Sequence, residues 1–169
     1  MTDLPRLTLV LGGARSGKSR YAEELVMRAP PPWTYLATAE ALDNEMAERI
    51  AHHRNRRDAR WQTVDAPLDL PGALAQAPGP ALIDCMTLWL SNLMLAGRNV
   101  EEESDHLLAA LAGEKGPLVA VSNEVGLGLV PETSLGRAFR DAQGRLNQRI
   151  AAAADHVVFM AAGLPLNLK

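Results

Sequence analysis

The octapeptide Gly12-Gly13-Ala14-Arg15-Ser16-Gly17-Lys18-Ser19 constrains this chain more than any other segment. It follows an apolar run, Leu7-Thr8-Leu9-Val10-Leu11, and precedes a stretch in which Tyr21, Ala22, Leu25 and Val26 recur at helical spacing. Strand, glycine loop and helix in that order form a cradle for polyphosphate. The glycines let successive backbone N–H groups turn inward, the helix N-terminus supplies partial positive charge, and Lys18 adds a full charge for the β- and γ-phosphates. The Ser19 hydroxyl is placed to ligand Mg2+. The plainer alternative is a tight turn that merely contains Lys and Ser, and the flanking strand and helix argue against it.

Beyond this loop, strands alternate with helices. The first helix runs from Lys18 to about Arg28 and is stopped by Pro30-Pro31-Pro32. Strands are expected at 34–37, 62–64, 81–84, 118–121 and finally 157–161; helices at 43–54, 71–77 with Pro71 as first residue, 88–95, 106–112 and 134–154. Residues 96–105, with the acidic run Glu101-Glu102-Glu103, read as polar and exposed. This alternation requires crossover connections, hence an α/β fold with a mostly parallel sheet and helices on both faces. At 169 residues, with no internal repeat or low-complexity linker, residues 1–169 are expected to form a single domain.

Composition then narrows the function. Seventeen Lys and Arg against 20 Asp and Glu give a net charge of −3, and aromatics are 4%. Neither suits a nucleic-acid protein that relies on bulk positive charge or stacked bases, so no nucleic-acid partner is expected. The lone Cys85 excludes an internal disulfide and a Cys-based zinc cluster. No apolar run is long enough to span a bilayer and no secretory signal precedes residue 7, so a cytoplasmic protein is expected.

Two further features bear on chemistry. Asp84 ends a strand, where the acidic partner of a phosphate loop belongs, and could hold Mg2+ through water; an ordinary strand-end acid is the alternative. A switch GTPase would carry Asp-x-x-Gly here and Asn-Lys-x-Asp later, whereas the chain reads Asp84-Cys85-Met86-Thr87 and has no Asn-Lys-x-Asp. The stretch from Arg49 to Arg57 concentrates His52, His53 and the arginines 49, 54, 56 and 57. Adjacent imidazoles on a helix point about 100° apart and do not readily converge on one metal. One of them could attack phosphorus while guanidinium groups hold the phosphate oxygens; a solvated, basic helix end is the competing reading.

Taken together, Gly12 to Ser19, Tyr35-Leu36-Ala37-Thr38-Ala39, Asp43-x-Glu45-Met46-Ala47-x-Arg49-Ile50-x-x-His53-Arg54, Trp61 and Val121-Ser122-Asn123-Glu124-Val125-Gly126-Leu127-Gly128-Leu129-Val130-Pro131-Glu132 resemble the bifunctional adenosylcobinamide kinase/adenosylcobinamide-phosphate guanylyltransferases of cobalamin biosynthesis. Phe139-Arg140-Asp141-x-x-Gly144-Arg145-x-Asn147-Gln148-Arg149 and 151–155 fit the same family, so the resemblance covers nearly the whole chain. It implies a P-loop NTPase of RecA-like topology, commonly a homotrimer. It also implies two reactions: ATP or GTP phosphorylates the corrinoid adenosylcobinamide, then GMP passes from GTP through a guanylyl-histidine to adenosylcobinamide phosphate.

By position the family's nucleophile falls on His53, beside the neighbouring His52. Nucleotide contacts fall on Gly12, Gly13, Ala14, Arg15, Ser16, Gly17, Lys18, Ser19, Ala37, Thr38, Ala39, Arg54, Asn55, Arg56, Arg57, Asp65 and Asp84. The family more often has Glu at the last two; the shorter Asp favours contact through water there. The segment between Leu95 and Pro117 is short for the family. Two other readings of the phosphate loop stay open at this level: a kinase for a small metabolite with no covalent GMP, and a RecA-like ATP-hydrolysing subunit driven by a macromolecular partner.

Overall fold

The computed structural model describes residues 4–41, 44–55, 57–114 and 116–169, except for the side chains of Glu45, Met46, Arg49, His52 and His53. The elements in chain order are β1 (Leu7–Gly12), α1 (Lys18–Val26), β2 (Trp33–Ala37), α2 (Asn44–Asn55), β3 (Trp61–Asp65), α3 (Leu70–Ala75), β4 (Ala81–Asp84), α4 (Met86–Leu95), α5 (Val100–Gly113), β5 (Leu118–Asn123), α6 (Ser134–Ala153), β6 (His156–Ala161) and β7 (Leu164–Asn167). The expected Asp43 start of the second helix lies outside the described residues.

The strands form one seven-stranded sheet in the order β3-β2-β4-β5-β1-β6-β7. Every neighbouring pair is parallel except β6 with β7. Strand periodicity explains why both faces are covered. Along β1, Leu7, Leu9 and Leu11 enter one apolar cluster and Val10 the other; along β5, Leu118 and Ala120 face one way and Val119 and Val121 the other. The first face packs on Leu70 and Leu74 of α3, Trp89, Leu90 and Leu93 of α4, Leu107 and Leu111 of α5, and Leu146 and Ile150 of α6. The second packs on Ala22, Leu25 and Val26 of α1. Burying each such Leu stabilises the fold by about 1.5–3 kcal/mol, so the sheet's central strands are fixed from both sides.

Two expectations need correcting. The fifth helix begins at Val100, not His106, so the acidic run, exposed at Glu101 and Glu102 as expected, forms its first turn. Asn99 Oδ1 accepts from the Glu101 and Glu102 backbone N–H groups at 3.2 and 3.3 Å, and three carboxylates at the helix N-terminus complement its dipole. The strand at 156–161 is also not the last. Ala162 and Gly163, with φ of 51° and 78°, make a two-residue turn into β7, which pairs Ala161 with Leu164. Pro165 is tolerated because β7 is a sheet edge.

Candidate active site

The carboxyl ends of β1, β2, β4 and β5 open onto a cleft of about 510 Å³, the edge at which open α/β sheets bind ligands. Its floor is the loop between β1 and α1. Gly12 is forced by crowding, since a Cβ there would lie 2.6 Å from the Met160 carbonyl oxygen and 2.7 Å from Ser16 Oγ. Gly17 precedes α1 with φ 93°, a left-handed conformation that leaves the helix without a side-chain cap. No acidic residue sits in the first turn of α1, so its N–H groups present uncompensated positive potential to the cleft. The turn at Gly163 braces the loop from behind, its N–H donating to the Ser16 carbonyl at 3.0 Å.

Lys18 is 8% exposed, and its Nζ donates to the Gly13 carbonyl at 2.6 Å. Burial lowers its pKa from the usual 10.5, against the pull of Cys85 and Asp84. Asp84, at the end of β4, accepts a hydrogen bond from the Tyr35 hydroxyl on Oδ2 at 2.9 Å. Burial and the Asp84 charge push the Tyr35 phenol upward, so it stays protonated and keeps donating. Burial pushes the neighbouring Cys85 thiol up to about 12. The Asp84–Cys85 turn is held by the residue that follows β2: Thr38 Oγ1 donates to the Cys85 carbonyl at 2.7 Å and accepts from its N–H at 2.8 Å.

The far wall comes from α2 and the residues after it. Ile50, Arg54 and Arg57 line the cleft. Arg54 Nη2 meets both oxygens of Asp65 at 2.7 and 3.0 Å, with side chains 48% and 64% exposed. Such an exposed pair contributes about 0–1 kcal/mol, little enough for a phosphate to displace it. The Arg57 guanidinium lies 3.5 Å from the centre of the Tyr35 ring, while its Nε and Nη1 are buried with no hydrogen-bond partner. Buried cationic donors without an acceptor are costly, and an anionic ligand in the cleft would satisfy them.

Of the residues singled out in the sequence, Ala14 to Ser19, Ala37, Ala39, Arg54, Arg57 and Asp84 line this one cleft. Gly12 and Gly13 belong to its loop without lining it. Thr38 is fully buried beneath it, and Asp65 reaches it through Arg54. Asn55 is exposed; Arg56 and the His52 and His53 side chains lie outside the described residues. Tyr35, Ile50, Leu88 and Asn123 also line the cleft. Of these, Tyr35 was missed as a functional residue: strand alternation marks it only as core, and its hydroxyl becomes informative once β4 is known to lie beside β2.

Among the described residues no three His, Cys, Asp or Glu side chains converge as a metal cage. The Ser19 hydroxyl and the Asp84 carboxylate nevertheless fit Mg2+, which takes one or two protein oxygens and completes its octahedron with phosphates and water. A second cavity, about 300 Å³, lies at the opposite edge of the sheet, lined by Thr8, Tyr21, Leu25 and Arg28 among others. Its lining includes neither the phosphate loop nor the start of α1.

Comparison with known proteins gives a consistent result. Residues 8–168 match the family described as cobinamide kinase / cobinamide phosphate guanyltransferase. The chain is 47% identical over 166 residues to a bifunctional adenosylcobalamin biosynthesis protein, CobP, of Pseudomonas aeruginosa, covering 95% of this chain and 96% of the relative. It is 43% identical over 181 residues to the bifunctional adenosylcobalamin biosynthesis protein CobU of Salmonella typhimurium, covering 96% and 99%. Among solved structures, the flagellar accessory protein FlaH of Methanocaldococcus jannaschii superposes with TM-score 0.55 at 13% identity, covering 98% of this chain and 80% of that one. That likeness is one of fold alone: a mostly parallel sheet flanked by helices, of the RecA-like P-loop architecture.

Proposed function

The chain belongs to the cobinamide kinase / cobinamide phosphate guanyltransferase family, and we propose that it runs both reactions of that bifunctional enzyme from the cleft at the carboxyl edge of its sheet. In the first, the corrinoid's hydroxyl oxygen attacks the γ-phosphorus of ATP or GTP and gives up its proton to solvent, the bond from the γ-phosphorus to the β–γ bridging oxygen breaks, and the nucleoside diphosphate leaves. Lys18 and the N–H groups of the phosphate loop hold the β- and γ-phosphates and neutralise the charge that develops. Ser19 and Asp84 would hold Mg2+, which when bound shields the phosphate charges.

In the second reaction an imidazole nitrogen of His53 attacks the α-phosphorus of GTP and pyrophosphate departs. An oxygen of adenosylcobinamide phosphate then displaces the histidine, giving adenosylcobinamide-GDP and restoring the imidazole. Helical spacing supports His53 over His52. Ile50 and Arg54 line the cleft, and position 53 falls within about 60° of Ile50 around the helix, whereas position 52 falls about 160° away. Arg54 and Arg57 would hold the phosphate oxygens of the transferred group, with Ala37 and Ala39 lining the same cleft and Asp65 paired to Arg54.

The observation that carries this reading is the convergence, in one cleft, of the phosphate loop, the strand-end carboxylate and the basic end of α2. Residues 1–169 act in it as one cytoplasmic nucleotide-binding domain, assembled as a homotrimer and without a nucleic-acid partner. The test is stepwise turnover. With adenosylcobinamide and ATP the purified protein should yield adenosylcobinamide phosphate, and added GTP should convert this to adenosylcobinamide-GDP with stoichiometric pyrophosphate. Phosphorylation without the second step would restrict it to a small-metabolite kinase.

A further inference from the structure

Tyr35 touches both halves of the cleft through chemically separate parts of one side chain. Its hydroxyl donates to Asp84 Oδ2, on the phosphate-loop side, at 2.9 Å. Its ring face carries the Arg57 guanidinium, on the α2 side, at 3.5 Å. The ring is 5% exposed and held edge-on by Trp61, with centroids 6.2 Å apart at 79°; Trp61 in turn packs on Trp33 at 5.4 Å. All three aromatics stand on the paired strands β2 and β3, so the ring is a rigid post.

We propose that Tyr35 is a positioning residue for both reactions: its hydroxyl aims the Asp84 carboxylate at the phosphate loop and its ring seats Arg57 for the guanylyl group. The hydrogen bond to Oδ2 fixes the carboxylate plane and leaves Oδ1 for the ligands of the phosphate loop. The stacked guanidinium has its Nε and Nη1 without protein partners, so the ring, not a hydrogen bond from those atoms, sets its height in the cleft. A flat cation stacked on a ring keeps its N–H edge free for an anion, which an ammonium on a flexible stem would not do.

The inference rests on the two-reaction reading, and the experiment separates the two. Tyr35→Phe removes the hydroxyl and keeps the ring; Tyr35→Leu removes both. Phosphorylation is followed in steady state with kcat and KM resolved, and guanylylation as the single-turnover rate of covalent labelling from GTP carrying an α-phosphate label. Tyr35→Phe should lower kcat for phosphorylation about tenfold while nucleotide KM moves less than about twofold, because the loss is of orientation and not of binding. Its labelling rate should fall by less than about twofold, whereas Tyr35→Leu should lower both rates about tenfold. Should Tyr35→Leu fail to fold, Arg57→Lys takes its place, keeping the charge without the plane, and guanylylation should then fall about tenfold more than phosphorylation.

Equal losses in the two reactions with Tyr35→Phe, or no loss in either, would overturn the positioning role. A wild-type protein that phosphorylates but never labels would instead overturn the two-reaction reading, whatever the variants do.

Discussion

At Lys18, burial works against the charge the phosphates need. Desolvation lowers its pKa from 10.5, while Cys85 and Asp84 pull it back. The Cys85 thiol is pushed up to about 12 and is not a thiolate at working pH, which leaves Asp84 as the effective counterweight. Between the lowered native pKa and 10.5 the unfolded chain holds more protons at this site, so stability contributed here rises with pH across that window. Lys18→Met is therefore expected to be more stable than the wild type at pH 7 in urea titrations, with the gain shrinking toward pH 10.5, and to have lost phosphoryl transfer. Equal stability with full turnover would contradict the charge-in-burial account.

Cys85 yields a simpler outcome: buried and shifted to about 12, it should resist a thiol reagent at pH 8 in the native protein and react once per chain in urea. Labelling of the native protein at the rate of a free thiol would contradict its burial. The phosphate loop was legible in the sequence because its spacing is its mechanism. Tyr35 was not, because a phenol's partners across a sheet depend on which strands are neighbours, and local pattern does not encode that.

Among the elements, sequence pattern succeeded where both faces of a strand are buried and failed at the margins. The strand at 81–84 appears at its expected bounds, since a short apolar run closed by a carboxylate leaves little freedom. The start of α5 was hidden because three consecutive glutamates resemble a loop unless Asn99 is recognised as their cap. Asn99→Ala should cost about 0.5–2 kcal/mol in thermal or urea unfolding and leave both reactions at wild-type rates. The β6–β7 turn was hidden because Ala162-Gly163 lacks the Asn-Gly spelling that usually marks such a turn.

The link between α6 and β5 is a buried polar network. Gln143 Nε2 donates to Ser122 Oγ and to Asn147 Oδ1, both at 2.9 Å, and Asn147 Nδ2 donates to the Asn123 carbonyl at 3.1 Å. Asn147→Ala removes the acceptor of the Ser122 hydroxyl and of a Gln143 N–H, and the donor to the Asn123 carbonyl, and should destabilise by about 1–3 kcal/mol, measured by urea unfolding. An unchanged midpoint would mean that the network contributes nothing to the fold.

For the whole molecule, a net charge of −3 conceals the local gathering of Lys18, Arg54 and Arg57 around one cleft. Composition excludes a generally basic surface, and the order of residues focuses what positive charge there is. The alignment with the Salmonella typhimurium relative spans 181 positions against 169 residues here, so that protein carries residues this chain lacks. Leu127, Leu129 and Val130 on the loop after β5 are 82%, 96% and 63% exposed, an apolar strip on the surface of the described residues. If the proposed homotrimer holds, light scattering should give three times the 18.2 kDa chain mass; a monomer at assay concentration would contradict that proposal.

The most direct test of the cleft's chemistry is covalent capture. Incubation with GTP labelled at the α-phosphate should leave an acid-labile, base-stable label that maps to His53, persists in His52→Ala and vanishes in His53→Ala. Full labelling of His53→Ala would contradict the assignment.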